Sequence, residues 1–163
     1  MGIVPDGAAF EAFYRENLTR IVRACALVTL ERAVAEDIAA EAFTRLWARW
    51  DLVSGEDHAG GFVFKTAMRL CYREMRGRRH RFHGSLDRAD AIDQALARLD
   101  VMKALAQLSL RQRQAVVLRD WAGFETAEVG RLLGMRESTV RVHLATGRER
   151  LRPELRVDEG SAP

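Results

Sequence analysis

The sequence predicts an all-α protein of two small helical domains joined by a flexible linker, the C-terminal domain containing a helix-turn-helix. Three observations carry that prediction. Apolar residues recur at helical spacing through most of the 163 residues. No stretch alternates apolar and polar residues between hairpin turns, as half-buried strands do. The helical pattern is broken near the middle by GRRHRFHGSLDRADAIDQ, where Gly77, Gly84 and Ser85 interrupt the period and Asp87, Asp90 and Asp93 bring in negative charge. The expected organisation is a domain over 1–83, a linker over 84–93, a domain over 94–156 and a disordered tail over 157–163. A hydrophobic content of 48% is ample for packed cores at this length.

The N-terminus, MGIVPDGAAF, lacks the basic head and long apolar stretch of a signal peptide. No apolar run approaches the roughly 18 residues that span a bilayer. A cytoplasmic, nucleoid-associated protein without membrane insertion is expected. Cys25 and Cys71 are isolated among apolar neighbours, which points to free thiols in a core. His80 and His83 lie among arginines that would repel a metal cation. No metal, no cofactor and no catalytic residue is expected: no nucleophile with a base, no paired carboxylates in a cleft and no phosphate-binding glycine loop is visible.

In VAEDIAAEAFTRLWARW, phase places Ala39, Phe43, Leu46 and Trp50 on a buried side. Asp37, Glu41 and Arg45 follow one another at i, i+4 on another side, and the two like charges cost a little in an isolated helix. In FVFKTAMRLCYREMRGRRHR, Phe64, Met68, Cys71 and Met75 form an apolar stripe beside Val63, Ala67 and Leu70. Lys65, Arg69, Arg73 and Arg76 form a cationic stripe on a second face, with Tyr72 beside it. The net charge of +3 hides this segregation. Acids dominate from Glu31 to Asp57 and bases from Lys65 to His83, where Arg78, Arg79 and Arg81 extend the run. Two partners of opposite charge are the simplest reading, a basic protein surface and a polyanion. An unbroken basic row beside an aromatic ring favours nucleic acid over a merely solvated face. The bland alternative is that the two regions neutralise each other within the fold.

The C-terminal unit starts near Ile92, with Leu96, Leu99, Met102, Leu105 and Leu108 as buried positions. Ser109 and Gln112 form a capping box that opens a helix running to about Trp121 and stopping at Gly123. In WAGFETAEVGRLLGMRESTVRVHLATGRERL, Val129, Leu132 and Leu133 make one apolar face, and Gly134 supplies a positive-φ turn. Gly130 sits mid-helix at a cost of about 1 kcal/mol against Ala, which close approach of a second helix would offset. The second helix turns Val140, Leu144 and Leu151 inward and leaves Ser138, Thr139, Arg141, His143 and Arg148 outward, able to meet phosphates and base edges. An ordinary helical hairpin inside a bundle is the alternative.

AEDIAAEAFTRLWARW at 35–50, GFVFKTAMRLCYREMRGRRHR at 61–81 and the stretch from Leu105 to Leu151, in this order, resemble the extracytoplasmic-function class of bacterial sigma factors, the specificity subunits of RNA polymerase. The WARWDLVS segment is similar to a SigE-like subgroup common in actinobacteria. The resemblance implies that Asp37, Glu41, Phe43 and Trp47 meet the clamp helices of the polymerase largest subunit. It implies that Lys65, Arg69, Tyr72, Arg73, Arg76, Arg78 and Arg79 open the −10 element and hold the unstacked strand. It assigns Ser138, Thr139, Arg141, His143 and Arg148 to the −35 major groove, and the C-terminal domain to the flap of the second-largest subunit. The 84–93 stretch would thread toward the active-site and RNA-exit channels. An anti-sigma factor is a further partner of the family.

The chain departs from the family pattern at several positions. Ala40 stands where Gln is usual, Arg69 where Asn is common, and Arg73 where Asp is frequent. His143 and Thr146 replace basic residues, Gly147 replaces Ala, and Glu125 and Arg136 replace the usual capping serines. Fewer cations mean fewer phosphates neutralised, and each missing cap costs about 1 kcal/mol. The resemblance therefore implies an initiation factor with divergent promoter preference. A stand-alone helix-turn-helix regulator is one rival, and it leaves the acidic helix unexplained. A sigma-derived polymerase or anti-sigma interaction protein without initiation activity is the other.

Overall fold

The computed structural model describes residues 7–53, 56–79 and 100–153, with the side chains of 56, 57 and 79 left out. All regular structure among these residues is helical. The N-terminal half comprises α1 (Gly7–Thr29), α2 (Arg32–Trp47), the single turn α3 (Trp50–Val53) and α4 (Glu56–Arg79). The C-terminal half comprises α5 over 100–106, α6 (Leu110–Val116), α7 (Thr126–Leu133) and α8 (Glu137–Leu151). The expected linker at 84–93, the start near Ile92, the positions Leu96 and Leu99, and the 157–163 tail all lie outside the described residues.

Helices α1, α2 and α4 pack on one another through the stripes that phase predicts. Ala39, Phe43, Leu46 and Trp50 are buried, as are Val63, Phe64, Ala67, Met68, Leu70 and Cys71. Met75, at the end of its stripe, is half-buried. Phe43 stacks edge-on against Tyr14 at 4.9 Å and lies 6.4 Å from Phe13, so α1 supplies the other side of this aromatic cluster. Cys25 and Cys71 are free and fully buried. The neighbouring Cys25 thiol, together with burial, pushes Cys71 well above its ordinary pKa, so it stays an inert thiol at neutral pH.

Helix α1 ends at Leu30, whose φ of 64° is the left-handed conformation usual at a helix C-cap but disfavoured for a residue with a Cβ. The cost is offset by its packing against the core and by the Leu30 N–H donating to the Ala26 carbonyl at 2.8 Å.

In the C-terminal half, the Ser109 hydroxyl accepts from the Gln112 N–H and the Gln112 side chain accepts from the Ser109 N–H, the reciprocal box expected. The helix does reach Trp121, but its last five residues, Val117–Trp121, widen into a π turn that the sequence did not foretell. Gly134 caps α7 at φ 66°. Gly130 is explained differently from expectation. What crowds it is the turn between the helices, because a Cβ there would lie 2.8 Å from the Met135 carbonyl oxygen. The expected loss of the cap before α7 is also reduced: the Glu128 carboxylate accepts from the Glu125 N–H at 2.8 Å, while Arg136 before α8 has no side-chain cap.

The two halves are docked. Arg113, 7% exposed, donates to the Leu105 and Leu108 carbonyls of its own half and, at 2.7 Å, to the Val28 carbonyl near the end of α1. Burial lowers its pKa to about 10, which leaves it charged at neutral pH, and a cation is well placed at a helix C-terminus. Gln114, fully buried, donates to the Met68 carbonyl of α4 at 2.8 Å. Arg20 donates to the Ala122 carbonyl at 2.6 Å, and its guanidinium lies 5.2 Å from the Phe64 ring centre and 5.7 Å from that of Phe124. Among the described residues no buried side-chain polar atom lacks a partner, which is what a fully satisfied polar joint requires.

Candidate nucleic-acid interface

Three surfaces gather the residues that the sequence singled out. The first is the outer face of α4. Lys65, Arg69, Arg73 and Arg76 are all exposed, because the buried stripe of the same helix fixes their phase, and none has an acid partner among the described residues. Tyr72 is half-buried on the same row. The Arg76 guanidinium lies 5.6 Å from its ring centre and that of Arg111, from α6, only 3.7 Å away. Arg78 does not belong to this row. It turns toward α2, where Glu31 at 2.5 Å and Glu74 at 2.9 Å accept from it and raise its pKa. Arg79 closes the helix, and its side chain lies outside the described residues.

The second surface lies between α2 and α4. Asp37 and Glu41 are exposed there, on the rim of a groove of about 200 Å³ whose floor is Ile38 and Leu70 and whose far wall carries Arg73, Glu74 and Arg78. Glu41 is paired with Arg45 at 2.7 Å, whereas Asp37 has no cationic partner among the described residues. Trp47 is not on this groove: it is 38% exposed on the α1 side of α2, edge-on against Phe10 at 4.8 Å. Phe43 is not on this surface. At 2% exposure it is a core residue, and the expectation that it meets a partner is corrected.

The third surface is the outer face of α8. Val140, Leu144, Gly147 and Leu151 are buried and fix the helix against its own domain. Ser138 and Thr139 are exposed, and Arg141 is exposed with its guanidinium on Glu137 at 2.5 Å. His143 is half-buried. Arg148 flanks the buried face, clamped by Asp120 of the π turn through two bonds of 2.9 and 2.5 Å that raise its pKa. The ridge diametrically opposite the buried face runs through Ser138, Val142 and Ala145, and Val142 is 64% exposed. Sequence reasoning passed over Val142, although its position four residues after Ser138 was the available signal.

The chain is similar in sequence and fold to known proteins. The family description sigma-70 region 2 matches residues 13–81, and sigma-70 region 4 matches residues 98–151. The extracytoplasmic-function (ECF) RNA polymerase sigma factor SigL of Mycobacterium tuberculosis is 30% identical over 90% of this chain and 89% of its own length. The RNA polymerase sigma-E factor of Streptomyces avermitilis is 28% identical over 90% of this chain and 84% of its own. In fold, the chain is similar to the sigma factor RpoE of Bartonella quintana, solved with the anti-sigma factor NepR, with a TM-score of 0.78 and 24% identity over 91% of this chain and 98% of that one. With α1–α4 corresponding to region 2 and α5–α8 to region 4, the chain belongs to the extracytoplasmic-function family of RNA polymerase sigma factors.

Proposed function

We propose that the protein binds core RNA polymerase through the α2 face and directs initiation at promoters whose −10 strand is held by α4 and whose −35 element is read by α8. The observation that carries this reading is the row Lys65, Arg69, Arg73 and Arg76, four exposed cations without acid partners beside an aromatic ring. Cations left free along a helix suit a phosphate backbone, and a Tyr ring suits an unstacked base. On α2, Asp37 and Glu41 supply the opposite charge for a basic polymerase surface, with Trp47 as an apolar anchor. We assign strand capture and polymerase binding to 1–83 and −35 reading to 94–156. The flap of the second-largest subunit is proposed as the seat of the second unit, and an anti-sigma factor as a protein that would cover these faces.

The docked arrangement bears on this reading. A base stacking on the Tyr72 face that Arg111 occupies must displace that guanidinium, so the Arg111 side chain has to swing away before α4 holds a strand there. Promoter opening on this view is driven by binding energy and strand capture.

The deciding experiment is binding of the purified chain to bacterial core polymerase, followed by run-off transcription on a genomic promoter library. Binding with transcripts supports an initiation factor and identifies its promoter. Binding without transcripts favours a polymerase-binding derivative, and no binding favours a free-standing regulator. Reversal of both Asp37 and Glu41 to Lys is expected to reduce polymerase affinity more than a hundredfold while the circular dichroism spectrum stays that of the parent. Unchanged affinity would remove α2 from the interface.

A further inference from the structure

We propose that Val142 reads a thymine in the −35 element by packing against its 5-methyl group. The inference rests on the −35 assignment above and deepens it. Val142 is 64% exposed, between the buried Val140 and Leu144 in sequence but rotated away from both. With Ser138 one turn before it and Ala145 one turn after, it forms the crest of α8, the line farthest from the domain core.

A single exposed apolar residue is ordinary on a protein surface and by itself says nothing. Position makes this one different. The crest of the second helix, near its N-terminal end, is the part that meets base edges when such a motif enters a major groove. Elsewhere along that end the helix offers hydroxyls from Ser138 and Thr139 and the guanidinium of Arg141, all suited to phosphates and polar edges. Val142 offers only methyl groups. Its branched Cβ fixes χ1, so the methyls project from the helix at a defined angle, and a β-branched residue is a poorer helix former than the straight-chain polar residues an exposed position favours. In the major groove, thymine is the base that presents a methyl. Flanking Ser138 and Ala145 are small enough to let a base pair approach the crest closely.

The test uses the full chain bound to core polymerase and a duplex carrying the −35 element recovered by run-off transcription. Each thymine of that element is replaced in turn by uracil, which removes the methyl and leaves every hydrogen-bonding group. At one thymine the parent protein should bind uracil about fourfold more weakly, the loss expected for one buried methyl. Val142→Ala should bind the unmodified duplex more weakly by a similar factor and be indifferent to uracil at that position. A flat uracil scan in the parent, an element without thymine, or full uracil sensitivity retained in Val142→Ala each overturns the proposal. If the complex fails to bind −35 DNA of any sequence, the −35 assignment falls first and this inference with it. Val142→Ala removes exposed atoms and adds helix propensity, so a melting temperature no lower than the parent's confirms that its DNA defect is local.

Discussion

On α4, Lys65, Arg69, Arg73 and Arg76 face solvent without acids, whereas on α8 Arg141 is held by Glu137 and Arg148 by Asp120. The two helices make different use of these cations. An unpaired cation gives its full charge to a phosphate and releases a counterion in doing so. A paired one must first exchange its acid, which lowers affinity for any polyanion but penalises a wrong partner as well. On the proposed assignment, the contrast corresponds to sequence-independent strand holding on α4 and restrained, sequence-dependent reading on α8.

The strongest way to break that comparison is to replace all four α4 cations by alanine. Promoter opening, followed by permanganate footprinting, should fall more than a hundredfold. The slope of log affinity for single-stranded DNA against log salt should shrink by about 0.7 for each phosphate no longer neutralised. A slope that does not change would mean that the row faces no phosphate. A smaller and more selective effect is expected from Arg141→Ala, about 1–3 kcal/mol at one base pair of the −35 element and little elsewhere. Equal losses on every duplex would show that Arg141 touches only the backbone. Asp120→Ala should have the smallest effect. The exposed pair it breaks contributes about 0–1 kcal/mol to stability, and the freed Arg148 should steepen the salt dependence of duplex binding. A salt dependence unmoved by the change would place Arg148 away from DNA.

Much of this was legible from the phase of apolar residues alone. The buried stripes of α2, α4, α7 and α8 are the residues that period 3.6 selects, and the Ser109–Gln112 box and the Gly134 cap follow from local chemistry. What escaped depends on partners far along the chain. Glu74, one turn before Arg78, is a local partner that spacing could have found, but only the meeting of α2 with α4 adds Glu31, 47 residues away. Arg148 finds Asp120 across 28 residues. Phe43 lay on the buried phase of α2, and its proposed place at a partner surface came from family likeness, which the aromatic cluster with Phe13 and Tyr14 overrules. The burial of Arg113 was illegible because no single-sequence pattern announces a guanidinium surrounded by main-chain carbonyls.

Seating side-chain donors on main-chain carbonyls bears on how the joint between the halves ages and how it opens. Arg113, Gln114 and Arg20 each reach across the junction to a main-chain oxygen, of Val28, Met68 and Ala122. Every residue type has that oxygen, so side chains on the accepting side can drift without deleting a bond, and a lesion is confined to the three donors. Were the halves to part, water would replace each bond, at a net loss of about 0.5–1.5 kcal/mol for the neutral Gln114 and about 1.5–3 kcal/mol for each guanidinium. Such a joint fixes one arrangement of the two halves while leaving the accepting side free to vary in sequence.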